Sequence, residues 1–327
     1  MLRINGHPNV LCGCLSGLLL LSLACDAPRD NPLDPKNPDY RFGTIQGSVQ
    51  TFALPHRPVA AVDVTWRPDN RTVRSDALGR FVIDDILPRD GVIYISAGGY
   101  RSDSMAVQWD HNKTAEIECY LNRIPTLQQI AVYSAVLNRY PNLRTYQLTI
   151  QAWIEDPDLD VETVSIDAPA IGLQKFLTYN PGDKVFQEIF SPYDLGLTSL
   201  QMMVGRPLAL SVTDLFGFTC QIGECSLKRV ILDEVGYIAP ASYQVTASRP
   251  ILQWKKFQPG YAITYTLEVY TDEIVPERVW EKKNLSGDLT ESAVDKDLPA
   301  GDYFWVIWCV DEFGNRSRSK PASFTVP

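Results

Sequence analysis

From residue 43 to the end of the chain, apolar and polar side chains alternate in short runs. GTIQGSVQ, GRFVIDDI, YQLTIQAWIED, TYTLEVYTD and GDYFWVIWCVD follow a period of two, which sends successive side chains to opposite faces of an extended strand. Gly, Pro, Asn and Asp close these runs, as hairpins and loops require. Runs with helical spacing are scarce. The pattern predicts an all-β chain of tandem antiparallel β-sandwiches with Greek-key connections. About 300 residues exceed what one core comfortably holds, so two or three domains are expected.

Composition and turn placement divide this stretch into segments 43–122, 123–233 and 234–327. The first contains seven candidate strands, and its turn from Asp76 to Gly79 predicts positive φ at Gly79 and Phe81 in the core. Its landmarks are Gly47, Val62, Val64, the run Ser75-Asp76-Ala77-Leu78-Gly79-Arg80-Phe81, Leu87-Pro88 and Gly98-Gly99-Tyr100. There the chain resembles the carboxypeptidase regulatory-like domain, although Ser75 stands for the usual Thr and Arg89-Asp90 intervene before Gly91. That resemblance implies a transthyretin-like sandwich that carries no catalytic residues. The last segment resembles a fibronectin type III-like or related Ig-like sandwich. Trp254 matches the core tryptophan, Tyr303 the tyrosine corner, and DEFGNRS at 311–317 a turn of bacterial members. The middle segment is the least legible. Its Asp156-Pro157-Asp158-Leu159-Asp160 resembles the D-P-D-G turn of bacterial Ig-like and cadherin-like repeats, and Thr213-Asp214-Leu215-Phe216-Gly217 is echoed by Val310-Asp311-Glu312-Phe313-Gly314.

The N-terminus gives an address. Arg3 precedes a mostly apolar run from Val10 to Ala24, and no acid appears before Asp26. The run is short for a membrane span, which takes roughly 20 residues, and has the charge order of a secretory signal. Leu21-Ser22-Leu23-Ala24-Cys25 resembles a bacterial lipobox, with Ser22 where Leu is usual. The resemblance implies removal of residues 1–24, lipidation of Cys25 and attachment to a lipid bilayer at the cell envelope, facing the periplasm or the outer surface. Residues 25–42 then form a disordered tether. In DNPLDPKNPDY, Pro32, Pro35 and Pro38 oppose helix in the preceding residues, and the Asp and Asn between them favour solvation over packing.

The full chain has a net charge of −9, and loss of Arg3 with the signal leaves −10. An acidic chain without a Lys/Arg block is a poor partner for nucleic acid. Cys220 and Cys225 bracket QIGE, a span compatible with a hairpin disulfide or with two thiols. Cys119 and Cys309 read as buried thiols. His56 and His111 are the histidines left after processing, no CxxC occurs, and nothing calls for a cofactor or structural metal. Asp156, Asp158 and Asp160 are the weak calcium candidates, set against a plain acidic hairpin turn.

A binding surface is the most concrete functional expectation. In GDYFWVIWCVD period two puts Tyr303, Trp305, Ile307 and Cys309 on one face and Phe304, Val306, Trp308 and Val310 on the other, and the fibronectin-like resemblance implies that the first set is core. An apolar outer row implies either a protein or glycan partner or a cover from a neighbouring domain or loop. Trp66, Tyr94, Trp109, Tyr133, Trp153, Tyr270 and Trp280 offer rings for sugar stacking or core packing. No nucleophile elbow, Cys/His pair, HExxH, P-loop or dinucleotide motif is present. The leading expectation is therefore a non-catalytic binding or spacer lipoprotein. A carbohydrate-binding accessory of a polysaccharide-degrading system stands second, and a hydrolase with an unrecognised carboxylate site third.

Overall fold

The computed structural model describes Asp34, Asn37 and residues 40–109 and 112–327. These residues fold almost wholly as strands, in two compact units divided between Asn122 and Arg123.

The first unit is a sandwich of two sheets. In chain order its strands are β1 (Gly43–Thr51), β2 (Asp63–Trp66), β3 (Arg71–Arg74), β4 (Arg80–Ile86), β5 (Gly91–Ser96), β6 (Asp103–Val107) and β7 (Thr114–Leu121). One sheet has the order β4-β1-β7 and the other β3-β2-β5-β6. Alternate residues from both sheets meet in one core containing Ile45, Val49, Trp66, Phe81, Ile93 and Cys119. The β1–β7 pairing is parallel, which departs from a purely antiparallel plan. Gly79 takes φ +74° and Phe81 is buried, as the turn spacing predicts.

The second unit contains two cores threaded by one sheet. Its earlier strands are β8 (Thr126–Arg139), β9 (Leu143–Glu155), β10 (Val161–Ala168), β11 (Leu173–Asn180), β12 (Val185–Phe190), β13 (Leu208–Asp214) and β14 (Thr219–Cys225). They run in the order β14-β13-β10-β11-β12-β9-β8 and enclose Leu148, Ile150, Val164, Leu200 and Leu210. The later strands are β15 (Tyr237–Ala239), β16 (Gln244–Val245), β17 (Ile251–Trp254), β18 (Ile263–Thr271), β19 (Arg278–Ser286), β20 (Glu291–Ala293), β21 (Gly301–Asp311), β22 (Arg316–Arg318) and β23 (Ala322–Val326). There β15-β17-β20 faces β19-β18-β21-β23 across a core built on Trp254, Tyr265, Trp305 and Phe324. Trp254 is fully buried, edge-on to Tyr265, and Tyr303 Oη donates to the Pro299 carbonyl at 2.9 Å.

What joins the two cores is an interrupted last strand. β23 continues the ladder on β21 from Gly301 to Trp305, whereas β22 pairs with β21 at Trp308–Val310. Between them Ser319 bonds back to Ile307 through its own N–H and through its hydroxyl, which accepts the Ile307 N–H. The free side of β22 lies parallel to Ala135–Leu137 of β8, so the ladder passes from one core to the next without a break. Two polar side chains buried at the join, Asn315 and Asn138, are hydrogen-bonded across it. Asn315 Oδ1 accepts from Ser134 N at 2.9 Å, and Asn138 Nδ2 donates to the Arg318 carbonyl at 2.8 Å.

Candidate binding face

The continuous sheet of the second unit has a face turned away from both cores. Directly opposed residues in a ladder share a face, as do residues two apart along a strand. β21 therefore places Phe304, Val306, Trp308 and Val310 beside Tyr270 and Glu268 of β18 and beside Arg316 and Arg318 of β22. β22 sets its arginines opposite Ala135 and Leu137, on the same side as Tyr133. Tyr133 opposes Thr149, and Gln151 opposes Gln187 of β12.

The aromatic row is covered. Val306 is fully buried and Phe304, Trp308 and Val310 are half-buried. Phe304 stacks on Tyr270 with centroids 5.2 Å apart and planes within 10°. Trp308 Nε1 donates to Glu268 Oε2 at 2.8 Å, the same carboxylate that accepts Tyr270 Oη and Arg278 Nη1. Burial first, and then the Glu268 hydrogen bond, pushes the Tyr270 phenol up to about 12. The Arg316 guanidinium lies 5.0 Å from the Trp308 ring centre and 5.2 Å from that of Tyr133, while Arg318 lies 5.8 Å from Trp308. Of the four apolar residues that the sequence left as either a partner surface or a covered row, Phe304 thus lies against Tyr270 and Trp308 against Arg316 and Arg318. The cover comes from adjacent strands rather than from a loop.

Those arginines are electrostatically unusual. The Nε atoms of Arg316 and Arg318 are buried without a hydrogen-bond partner, and neither residue enters an ion pair among the described residues. Desolvation, followed by repulsion from Arg139, pulls the Arg318 guanidinium below its ordinary value. Beyond Tyr133 the face becomes a shallow depression lined by Thr149, Gln151, Tyr179, Gln187 and Ile189. Gln151 Nε2 donates to Gln187 Oε1 at 2.9 Å. β9 lies between β8 and β12, and β12 between β9 and β11, so the floor of the depression is built of side chains. Sequence reasoning passed over Arg316 and Arg318. The signal was their spacing of two, which aims both at one face.

The other sequence candidates fall elsewhere. Cys25, the tether cysteine, and His111 lie outside the described residues. Cys220 and Cys225 are not bonded to each other. Both lie on β14, whose extended rise separates them by roughly 16 Å, beyond the reach of a disulfide. QIGE is strand rather than hairpin tip, because Ile222 is absorbed as a bulge opposite Leu210 and Ser211. Cys119 and Cys309 are buried thiols in separate cores, and burial pushes them up to about 11 and about 12.

Asp156 is a turn cap. Its Oδ1 accepts from Asp158 N and its Oδ2 from Asp160 N and Val161 N, while Asp158 takes Arg123 N. Only Asp160 has oxygens to spare, and no group of three or more His, Cys, Asp or Glu among the described residues is arranged to hold a metal ion. Of the three carboxylates close in sequence, Asp156 caps the turn, Asp158 accepts from Arg123, and Asp160 is buried without a partner. Of the aromatic candidates, Trp66, Trp109 and Trp280 are core, and Arg67 covers Tyr94 at 4.6 Å. Tyr133, Trp153 and Tyr270 project from the outer face just described.

The strands and cores define an all-β protein of tandem sandwiches. No family model matches the sequence, and no curated protein matches it. Solved structures do. The FN1–FN3 domains of chicken CNTN1 align at 10% identity and TM-score 0.31, over 87% of this chain and 98% of that one. The fibronectin(III)-like modules of Clostridium thermocellum CbhA align at 11% and 0.30, over 62% and 93%. The major pilin subunit of Bacillus cereus, BcpA, aligns at 10% and 0.25, over 87% and 95%. The fold assignment rests on this chain's own ladders and cores.

Proposed function

We propose that this chain is a bacterial envelope lipoprotein, held in the bilayer through acylated Cys25, that presents β-sandwich modules to a partner without performing catalysis. The first sandwich is read as carboxypeptidase regulatory-like, from its Asp76–Phe81 turn and Gly47 strand. Residues 25–42 link lipid to fold, and their far end is docked rather than free: Tyr40 Oη donates to Asp85 Oδ1, and Lys113 Nζ donates to the Tyr40 carbonyl. The observation that supports the presenting role is the β22–β8 junction, which carries one ladder through both cores of 123–327. A rigid body holds its face at a set reach and orientation, so little ordering entropy opposes binding. Cys25→Ala should move the protein from the membrane fraction to the soluble envelope fraction. Unchanged partitioning would remove the anchor from the account.

A second reading, a carbohydrate-binding accessory, is favoured by the polar floor of Thr149, Gln151 and Gln187 beside the Tyr133 ring. Amides and an aromatic on a flat paired sheet match the hydroxyls and apolar ring faces of a sugar chain.

A further inference from the structure

We propose that the outer face of the second unit binds an acidic polysaccharide, a chain of carboxylated sugars, with Arg316 and Arg318 receiving the carboxylates and Tyr133, Gln151 and Gln187 receiving the rings and hydroxyls. The inference rests on the non-catalytic presenting role and names the ligand class for it.

Charge is the first argument. The chain carries a net charge of −9, yet Arg139, Arg316 and Arg318 share one face with no carboxylate paired to either β22 arginine. Guanidiniums held side by side without an ion pair, offset for Arg318 only by the nearby charge of Glu268, favour an added anion, and a planar fork takes a carboxylate through two parallel hydrogen bonds. Stacking completes the pre-organisation. Arg316 is held between Trp308 and Tyr133, so its plane is fixed before any ligand arrives.

Backbone accounting is the second argument. A protein segment docks most readily on an open strand edge or on an apolar patch. Here β22 is paired on both sides, β8 is paired on both sides at Ala135–Leu137, and the apolar residues of β21 are buried or half-buried. What the face presents beside the half-buried aromatic row is half-buried guanidinium, amide and ring. That inventory suits a polymer rich in carboxylates and hydroxyls, and it runs across adjacent strands as a track rather than a closed pocket. Glu268, the nearest acid on β18, is already committed to Trp308, Tyr270 and Arg278 and would not compete.

The test is titration of the full chain with polygalacturonate, neutral dextran and poly-glutamate, comparing wild type with the Arg316→Gln/Arg318→Gln double variant and with Arg316→Lys. Polygalacturonate should bind and dextran should not, and binding should weaken as salt rises. The double variant should lose on the order of tenfold or more in affinity while keeping its near-UV spectrum. Arg316→Lys, which keeps the charge but not the plane, should lose part of the affinity and guards against a folding artefact in the double variant. Unchanged affinity in the double variant overturns the assignment, and so does equal capture of poly-glutamate, which would favour an acidic peptide. Silence toward all three polymers, with Cys25→Ala still releasing the protein, removes the ligand class and leaves the presenting role standing. Shortening of the polymer by the protein would instead remove the non-catalytic reading.

Discussion

Asp160 is almost wholly buried, and neither of its carboxylate oxygens has a hydrogen-bond partner. Desolvation, then the negative charges of Asp156, Asp214 and Asp158, push it from 3.8 up to about 6. Between those values the folded protein holds a proton that the unfolded chain has released, so stability falls as pH rises through that window. The penalty is complete above about pH 6 and absent below about pH 4, and two units correspond to roughly 3 kcal/mol at most. Asp160→Asn should therefore raise stability to urea by about 1–2 kcal/mol at pH 7.5 and by little near pH 4. An equal gain at both values would show that charge is not the cause. The neighbouring acids made this loop resemble a cation site in the sequence, and only the directions of their oxygens separate a cap from a ligand.

One turn recurs at the level of elements. Asp76, Asp214 and Asp311 each use Oδ1 to accept the N–H groups two and four residues on, and in each the residue at the third position is a glycine at positive φ. Asp156 builds the same cap from both carboxylate oxygens, but its third residue is Leu159, at φ +57°. A branched side chain there costs about 1 kcal/mol or more that glycine avoids, offset in part by the greater freedom glycine gives the unfolded chain. Leu159→Gly should thus stabilise by about 0.5–1 kcal/mol, read as a shift in the urea midpoint with unchanged slope; a loss would mean that Leu159 contributes packing despite its exposure. The D-x-x-G spacing in DALGR, DLFGF and DEFGN made three of these turns legible. Asp311 also carries a contact that spacing cannot report, since its Oδ2 accepts from Arg229 Nη1, 82 positions away.

For the whole molecule, the connection between the two cores of the second unit decides whether it behaves as one body. Leu227 belongs to one core, Ile231 and Val235 to the other, and all three are buried. Arg229 lies 3.7 Å over the Tyr261 ring, pairs with Asp311 and accepts the Ser134 hydroxyl on its carbonyl. Lys228-Arg229 is a trypsin target in sequence; Lys228 is exposed, whereas Arg229 is packed into the junction. Native protein should therefore resist cleavage after Arg229, and heat-unfolded protein should be cut there, as mass spectrometry of the digest would show. Early cleavage of native protein at Arg229 would mean that the cores move independently.

The sequence by itself determined the class of structure and much of its interior. Period-two runs made strands, glycines after aspartates made turns, and Trp254, Tyr303 and Phe81 went where alternation and turn position sent them, because each of these effects acts within a few residues. Tertiary structure alone decided which strands became neighbours across long stretches of chain. It paired Arg316–Arg318 with Ala135–Leu137, joined two cores through one ladder, and set Arg316 between Trp308 and Tyr133. Pairing of distant strands depends on the packing of whole faces against each other, and no local pattern encodes that.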